Sequence, residues 1–286
     1  QGRTLAEIFT GYRQGDDALI EQFGRVRLLT VLIQVCMAVE FAHSRGVVHR
    51  DVKPGNIMLG DFGEVQLLDW GIARRVEEPG GQDDGLSLTG TPGYMAPEQI
   101  RMEVDVAPQL ADVYALGCIL YESLTLRRPI EDPDPEEMLV RACNEDPLPP
   151  SRQAPLREVP PELDEICLAA LSRDPDERTA TARALARQLE SFLEGARKQA
   201  RLLREAEEKV FEGQALTARY EGFRQELSYT RKEDREIRGE VMPWHGVEHK
   251  RAMWELEDRA QRLREKVVDA FGEAVNAFTA ALDRVP

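Results

Sequence analysis

Two aspartates in the stretch Gly60–Arg75 are each followed by an aromatic residue and a glycine, as Asp61-Phe62-Gly63 and as Asp69-Trp70-Gly71. Either carboxylate could hold a divalent cation, because hard cations take oxygen ligands. Upstream, His49-Arg50-Asp51-Val52-Lys53-Pro54-Gly55-Asn56 places a carboxylate, an ammonium and an amide within six residues, at Asp51, Lys53 and Asn56. A general base beside groups suited to anions and hard cations is the chemistry that such a set offers. What stands upstream therefore decides which aspartate serves it.

An Asp, a Lys two residues on and an Asn five residues on form the phosphoryl-transfer loop of protein kinases. On these residues the chain resembles the bacterial, Hanks-type branch of the serine/threonine protein kinases, Lys53 marking the Ser/Thr type. The resemblance implies ATP and Mg2+ (or Mn2+) as cofactors and protein Ser/Thr hydroxyls as acceptors. It gives Asp51 the substrate hydroxyl's proton, Lys53 the charge on the transferring phosphoryl group, and Asn56 one metal ion. Met58 becomes the floor beneath the adenine.

The second metal ligand has to return to Asn56 along a neighbouring strand. Asp61 comes too soon: only Ile57-Met58-Leu59 intervene, which puts it a strand's length away at about 3.3 Å per residue. Gly60-Asp61-Phe62-Gly63 reads as the turn, with residues that turns favour. Val65-Gln66-Leu67-Leu68 then returns, and Asp69 arrives beside Asn56. The complete motif is the decoy, and Asp69-Trp70-Gly71, with Trp70 in place of the family's Phe near His49, is the expected site.

Further matches follow in order. Thr89-Gly90-Thr91-Pro92-Gly93-Tyr94-Met95-Ala96-Pro97-Glu98 resembles the end of an activation segment. By that resemblance Thr91 reaches toward Asp51 and Lys53, Glu98 pairs with Arg178, and Asp112 holds the backbone of the His49-Arg50 turn. Arg50 next to Asp51 suggests control by phosphorylation, with Ser87 and Thr89 as acceptors, a phosphate adding about −1.5 to −2 charge.

The elements that must position these residues are legible as helices near 4–12, 24–45, 108–124, 134–143, 161–171 and 179–194, with strands near 47–48, 57–59 and 65–68. The fold class expected is mainly α (α+β): a kinase-like C-terminal lobe with short β-hairpins over 1–194, then a long α-helical hairpin over 195–286. Leu203, Val210, Phe211, Leu216, Tyr220, Phe223 and Leu227 form the apolar stripe of the first long helix. Leu256, Leu263, Val267, Phe271, Ala274, Phe278 and Leu282 form that of the second. Met242-Pro243-Trp244-His245-Gly246 is the break, because Pro ends a helix. Pairing within the chain is the default, and helical self-association is the alternative.

The resemblance covers only the larger lobe. The Gly-rich loop, the strand Lys and the helix Glu that kinases place before it are expected upstream of Gln1, as an N-lobe segment, and the chain alone is expected to be nearly inactive. The rival reading is a catalytically silent kinase-like platform for docking or oligomerisation.

Of 37 Lys and Arg and 52 Asp and Glu, 18 of each sign fall in 196–286, so the net charge of −15 belongs to the first two-thirds. An acidic surface excludes a nucleic-acid partner there. No run of about 18 apolar residues marks a membrane span. Cys36, Cys118, Cys143 and Cys167 are scattered and read as reduced, buried thiols of a cytoplasmic protein. His245 and His249 have ligand-like spacing but no third partner, and Trp244 and Trp254 are expected to pack the hairpin.

Overall fold

The computed structural model describes residues 2–60, 62–75, 90–103 and 105–284, apart from the side chains of Arg75 and His249. The chain divides into two compact units, Gln1–Glu194 and Gly195–Pro286.

In the first unit, β1 (Arg3–Thr4) leads into α1 (Leu5–Gln14), α2 (Asp17–Gln22) and α3 (Arg25–Ser44), followed by β2 (Val47–Val48). The Thr4 hydroxyl accepts from the Glu7 amide and the Glu7 carboxylate accepts from the Thr4 amide, a reciprocal cap that starts α1. A 3-10 turn at Pro54–Asn56 opens β3 (Ile57–Leu59), and β4 (Val65–Leu67) and β5 (Arg74–Arg75) follow. The helices α4 (Pro97–Ile100), α5 (Gln109–Thr125), α6 (Pro135–Asn144), α7 (Pro150–Gln153) and α8 (Pro161–Ala170) complete the unit with the first turns of α9 (Ala182–Glu240). The strands form two antiparallel sheets, one ordered β1-β3-β4 and one pairing β2 with β5.

The unit is built around α5, whose residues from Ala111 to Thr125 are all buried. A helix that is apolar on every side has to lie inside the protein. It packs against α3 and α8, and Gly117 sets the approach to α8, since a Cβ there would lie 3.0 Å from the Ala170 Cβ. α3 is long and apolar enough to cross a membrane, yet Leu28, Leu29, Leu32, Val35, Cys36 and Val39 are buried in this same core. The short helices α2, α4 and α7 were not foreseen. Four to six residues carry too little periodicity to reveal a helix, and packing on larger neighbours sustains them.

Arg178 ties three segments to the core. Its guanidinium donates to both oxygens of Glu98, at 2.5 and 2.9 Å, and to the carbonyls of Leu110 and Ser172, both at 2.9 Å. It also lies 5.2 Å over the Tyr114 ring.

In the second unit α9 and α10 (Val247–Leu282) are joined by residues 241–246. Antiparallel pairing is visible in the salt bridges Arg259–Glu226 at 2.6 Å and Arg238–Glu257 at 3.3 Å. The seam keeps part of the stripe read in the sequence: Phe223 and Val267 pack against Leu227 and Leu263, the rings of Tyr220 and Phe271 lie 5.7 Å apart, and a Cβ on Gly213 would lie 2.9 Å from the Phe278 ring. Its buried residues include Ala206 and Leu227 on α9, and Ala260, Leu263, Ala270, Ala274, Ala277 and Ala281 on α10. Leu203, Phe211 and Leu282 of that stripe are exposed. Alanine and Gly213 let the two backbones approach closely, and larger side chains such as Leu227 and Leu263 fill the seam between them. Trp244 is 78% exposed and Trp254 is also exposed, so the expected packing by these two rings is not found. Trp244 lies in the connection itself, at the surface where loops belong, and Trp254 lies in the first turns of α10.

Two predictions follow from the core. Arg178→Ala strands Glu98 as a buried, unpaired carboxylate and should cost about 3–5 kcal/mol in urea unfolding; a loss below 1 kcal/mol would mean that water reaches the pair. Burial raises the thiol pKa of Cys36, Cys118 and Cys167 well above the ordinary range. Since the thiolate is the reactive form, these three should resist a thiol reagent until the chain unfolds.

Candidate active site

The site is organised by a buried carboxylate one turn into α5. Asp112 accepts the amide of His49 on Oδ2 and the amide of Arg50 on Oδ1, both at 2.8 Å. The His43 ring reaches the same Oδ2 at 2.8 Å. This holds Arg50 at φ 71°, a left-handed conformation that L side chains avoid.

The His49 ring carries the constraint onward. Its Nδ1 accepts from the Asp51 amide at 3.3 Å, and its Nε2 is 3.1 Å from the Leu68 carbonyl. An acceptor at Nδ1 and a carbonyl at Nε2 assign the Nε2–H tautomer. One buried ring thus links Asp51 to the end of the strand that precedes Asp69.

That strand brings Asp69 back to Asn56. The pairs Ile57–Leu67, Met58–Gln66 and Leu59–Val65 form the β3–β4 ladder, and the Leu68 amide extends it by donating to the Asn56 carbonyl at 2.7 Å. Asp61 lies outside the described residues. Its neighbours mark the tip of the hairpin: Phe62 is 94% exposed, and the Gly63 amide closes the turn on the Gly60 carbonyl at 3.1 Å. Trp70 sits against His49, with ring centroids 4.6 Å apart, and its indole N–H donates to the Leu67 carbonyl at 3.0 Å. Asp69 has φ 61°, and its Oδ1 accepts from the Gly71 amide at 3.4 Å.

Asp51, Lys53 and Thr91 form a closed triangle. Lys53 Nζ donates to Asp51 Oδ2 at 2.6 Å and to Thr91 Oγ1 at 2.8 Å, and Thr91 Oγ1 donates to Asp51 Oδ1 at 2.7 Å. Asn56 Nδ2 donates to the Asp51 carbonyl at 2.8 Å, which turns its amide oxygen away from Asp51. Gly90 has φ 136°, and a Cβ there would lie 2.9 Å from Met95 Cγ and 3.4 Å from the Arg50 carbonyl. Only glycine delivers Thr91 past those neighbours without strain.

An amide oxygen and a carboxylate from facing strand ends form a donor set suited to Mg2+, which prefers hard oxygen ligands and keeps several waters. Met58 is half-buried on β3, paired with Thr4 of β1. Ser87 and Thr89 lie outside the described residues. His245 is in the connection between the long helices, its Nδ1 accepting from the Met242 amide at 3.2 Å. Among the described residues no cluster of three His, Cys, Asp or Glu side chains could hold a metal.

Sequence reasoning missed His43 and a second buried carboxylate, Glu122. Glu122 Oε2 accepts from Tyr94 Oη at 2.5 Å, and Arg13 pairs with its other oxygen. Burial, reinforced by the Glu122 charge, raises the Tyr94 phenol above its ordinary pKa. A glutamate inside the apolar run Ala115–Leu124 was the available signal, because a buried acid has to find partners.

Residues 12–189 match the protein kinase domain. The chain belongs to the protein kinase family. It is 37% identical over 215 residues to the serine/threonine-protein kinase PknD of Chlamydia caviae, covering 68% of this chain and 23% of that protein. It is 41% identical over 157 residues to PknB of Mycolicibacterium smegmatis, covering 54% and 24%. A probable serine/threonine-protein kinase of Streptomyces coelicolor is 39% identical over 176 residues, covering 59% and 25%. The chain therefore spans about a quarter of the length of these relatives. Protein kinases use ATP and divalent metal ions, and the mainly α architecture of the first unit accords with the family.

The Asp112 anchor can be tested apart from activity. Asn in its place has a single acceptor oxygen for two amides, so Asp112→Asn should cost about 1–3 kcal/mol. Hydrogen exchange at the His49 and Arg50 amides should quicken while α8 stays protected; unchanged exchange would show that the turn holds without Asp112.

Proposed function

We infer that the first unit is the C-terminal lobe of a bacterial serine/threonine kinase catalytic domain, acting on Ser and Thr hydroxyls of proteins in the cytoplasm. The observation that carries this reading is the Asp51–Lys53–Thr91 triangle, with Asn56 and Asp69 on adjoining strand ends beside it.

In this reading Asp51 receives the acceptor hydroxyl and takes its proton, a contribution on the order of 10²–10⁴ in rate. Lys53, held between Asp51 and Thr91, offers its ammonium to the charge on the transferring group. Thr91 fixes both side chains from the opposite loop. Asn56 and Asp69 would hold the magnesium, and Met58 would lie beneath the adenine. ATP with its metal supplies the phosphoryl group and neutralises part of its charge. Trp70 keeps Asp69 in position by its contact with His49. A small lobe upstream supplies the roof over the nucleotide, since positioning accounts for most of phosphoryl-transfer catalysis.

Phosphorylation of Ser87 or Thr89 would place a dianion near Arg50 and order the loop that leads to Thr91. The silent-platform reading gains no specific support, because all four of Asp51, Lys53, Asn56 and Asp69 are retained.

The test is phosphopeptide mass spectrometry after incubation with Mg-ATP, using this chain and one extended upstream through a full small lobe. The extended chain should phosphorylate Ser and Thr, with Asp51→Ala lowering the rate about 10²–10⁴-fold and Asp69→Asn weakening metal dependence. Incorporation that persists in Asp51→Ala, or silence from the extended chain, would sink the assignment.

A further inference from the structure

A cavity of about 340 Å³ lies beside the Asp51–Lys53–Thr91 triangle, lined by Lys53, Pro54 and Gly55, by Arg13 of α1, and by Tyr94 and Arg128. Lys53 belongs to the triangle and to the cavity wall alike. Arg128, just beyond the end of α5, lies along the loop that delivers Thr91. Its Nη1 donates to the Pro92 carbonyl at 3.4 Å. A Cβ on Gly93 would lie 2.9 Å from both Cδ and Nη1 of Arg128, so this glycine, at φ 90°, leaves the room that the guanidinium occupies.

The charges of the cavity are unevenly spent. Its two carboxylates already have partners: Glu122 accepts from Tyr94 Oη and from Arg13, and Glu131 accepts from the Arg128 amide at 3.0 Å. Lys53 is held by Asp51 and Thr91, and Arg13 by Glu122 and by the Leu126 carbonyl at 2.9 Å. The Arg128 guanidinium is left over. Such a group carries five N–H donors, and this one has the long bond to Pro92 and a contact at 3.9 Å with the Met138 sulfur. Among the described residues no carboxylate pairs with it. Arg13, Lys53 and Arg128 against two committed carboxylates make the cavity a local exception in the unit that holds the chain's net negative charge.

We propose that Arg128 selects the acceptor sequence by pairing with an anionic side chain, carboxylate or phosphate, a few residues from the Ser or Thr that meets Asp51. The proposal rests on the reading of Asp51 as the residue that receives that hydroxyl. A chain placed there has Lys53 on one hand and Thr91 on the other; Lys53 borders the cavity, and Arg128 touches the residue after Thr91. An extended peptide advances about 3.3 Å per residue, so near neighbours of the acceptor reach the cavity. A guanidinium fork matches a carboxylate or a phosphate with two parallel hydrogen bonds. The acidic surface around it repels anions at long range, which confines the preference to the position that meets Arg128.

Fluorescence anisotropy with labelled peptides tests this on the whole chain, without any turnover. A central Ser is flanked by Ala, and Glu, phosphoserine or Lys is walked through the positions on either side. One position should favour Glu or phosphoserine over Ala by about fivefold and reject Lys; the ratio of the two anions tells carboxylate from phosphate. Arg128→Ala should abolish that preference while the all-Ala peptide binds as before, and Arg128→Glu should turn it toward Lys. In the chain extended through a small lobe, Arg128→Ala should raise KM for the acidic peptide and leave kcat unchanged. A preference for Lys in the parent, no preference at any position, or a Glu preference that survives Arg128→Glu would overturn the proposal. Silence from the extended chain would count against the catalytic reading instead, while the anisotropy still decides whether Arg128 reads an anion.

Discussion

The Asp112 carboxylate is the interaction on which the site depends. It is buried on α5, a helix enclosed from Ala111 to Thr125, and it spends both oxygens on the backbone of the His49-Arg50 turn. A buried carboxylate without partners is very costly, and a non-glycine residue at positive φ costs roughly 1–3 kcal/mol. Each liability offsets the other here: the strained turn points two amides at the acid, and the acid holds the turn in its strained form. His49 then passes the register from the loop of Asp51 to the strand of Asp69. The acid–amine–amide set and the second metal-ligand candidate are therefore parts of one rigid assembly seated on α5.

Two other buried acids follow the same logic. Glu98 is matched by the fork of Arg178, and Glu122 by Arg13 and Tyr94. A buried ion pair is weak evidence for stability, because desolvation consumes most of the attraction. What these pairs supply is geometry. Arg178 joins α4, the start of α5 and the loop after α8 at one point, and Tyr94 pins the residues just beyond Thr91 to α5. The loop that delivers Thr91 is fixed on its C-terminal side by side chains whose partners lie far away in sequence.

The second unit obeys a different rule. Its helices meet along alanines and a small cluster of Leu227, Leu263, Phe223 and Val267, and surface pairs such as Arg259–Glu226 run alongside. Exposed ion pairs contribute only about 0–1 kcal/mol each. Larger side chains add to this where Leu263 and Val267 of α10 meet Leu227 and Phe223 of α9.

Much of the site was legible from the chain alone. The count of residues from Asn56 to Asp69 anticipates the β3–β4 register that returns the chain to Asn56, because a short hairpin has a fixed reach per residue. The long helices were legible from periodicity, and the break near Pro243 from the chemistry of proline. Tertiary structure decided which side chains face each other. His43 and Glu122 have nothing local to mark their partners, since those lie 69 residues away at Asp112 and more than 100 away at Arg13. The seam of the long helices was read only in part for a related reason. Periodicity shows that a helix has an apolar face, but two adjacent faces of α10 share one period, and only packing decided that Ala270, Ala277 and Ala281 are buried while Val268 and Leu282 are exposed.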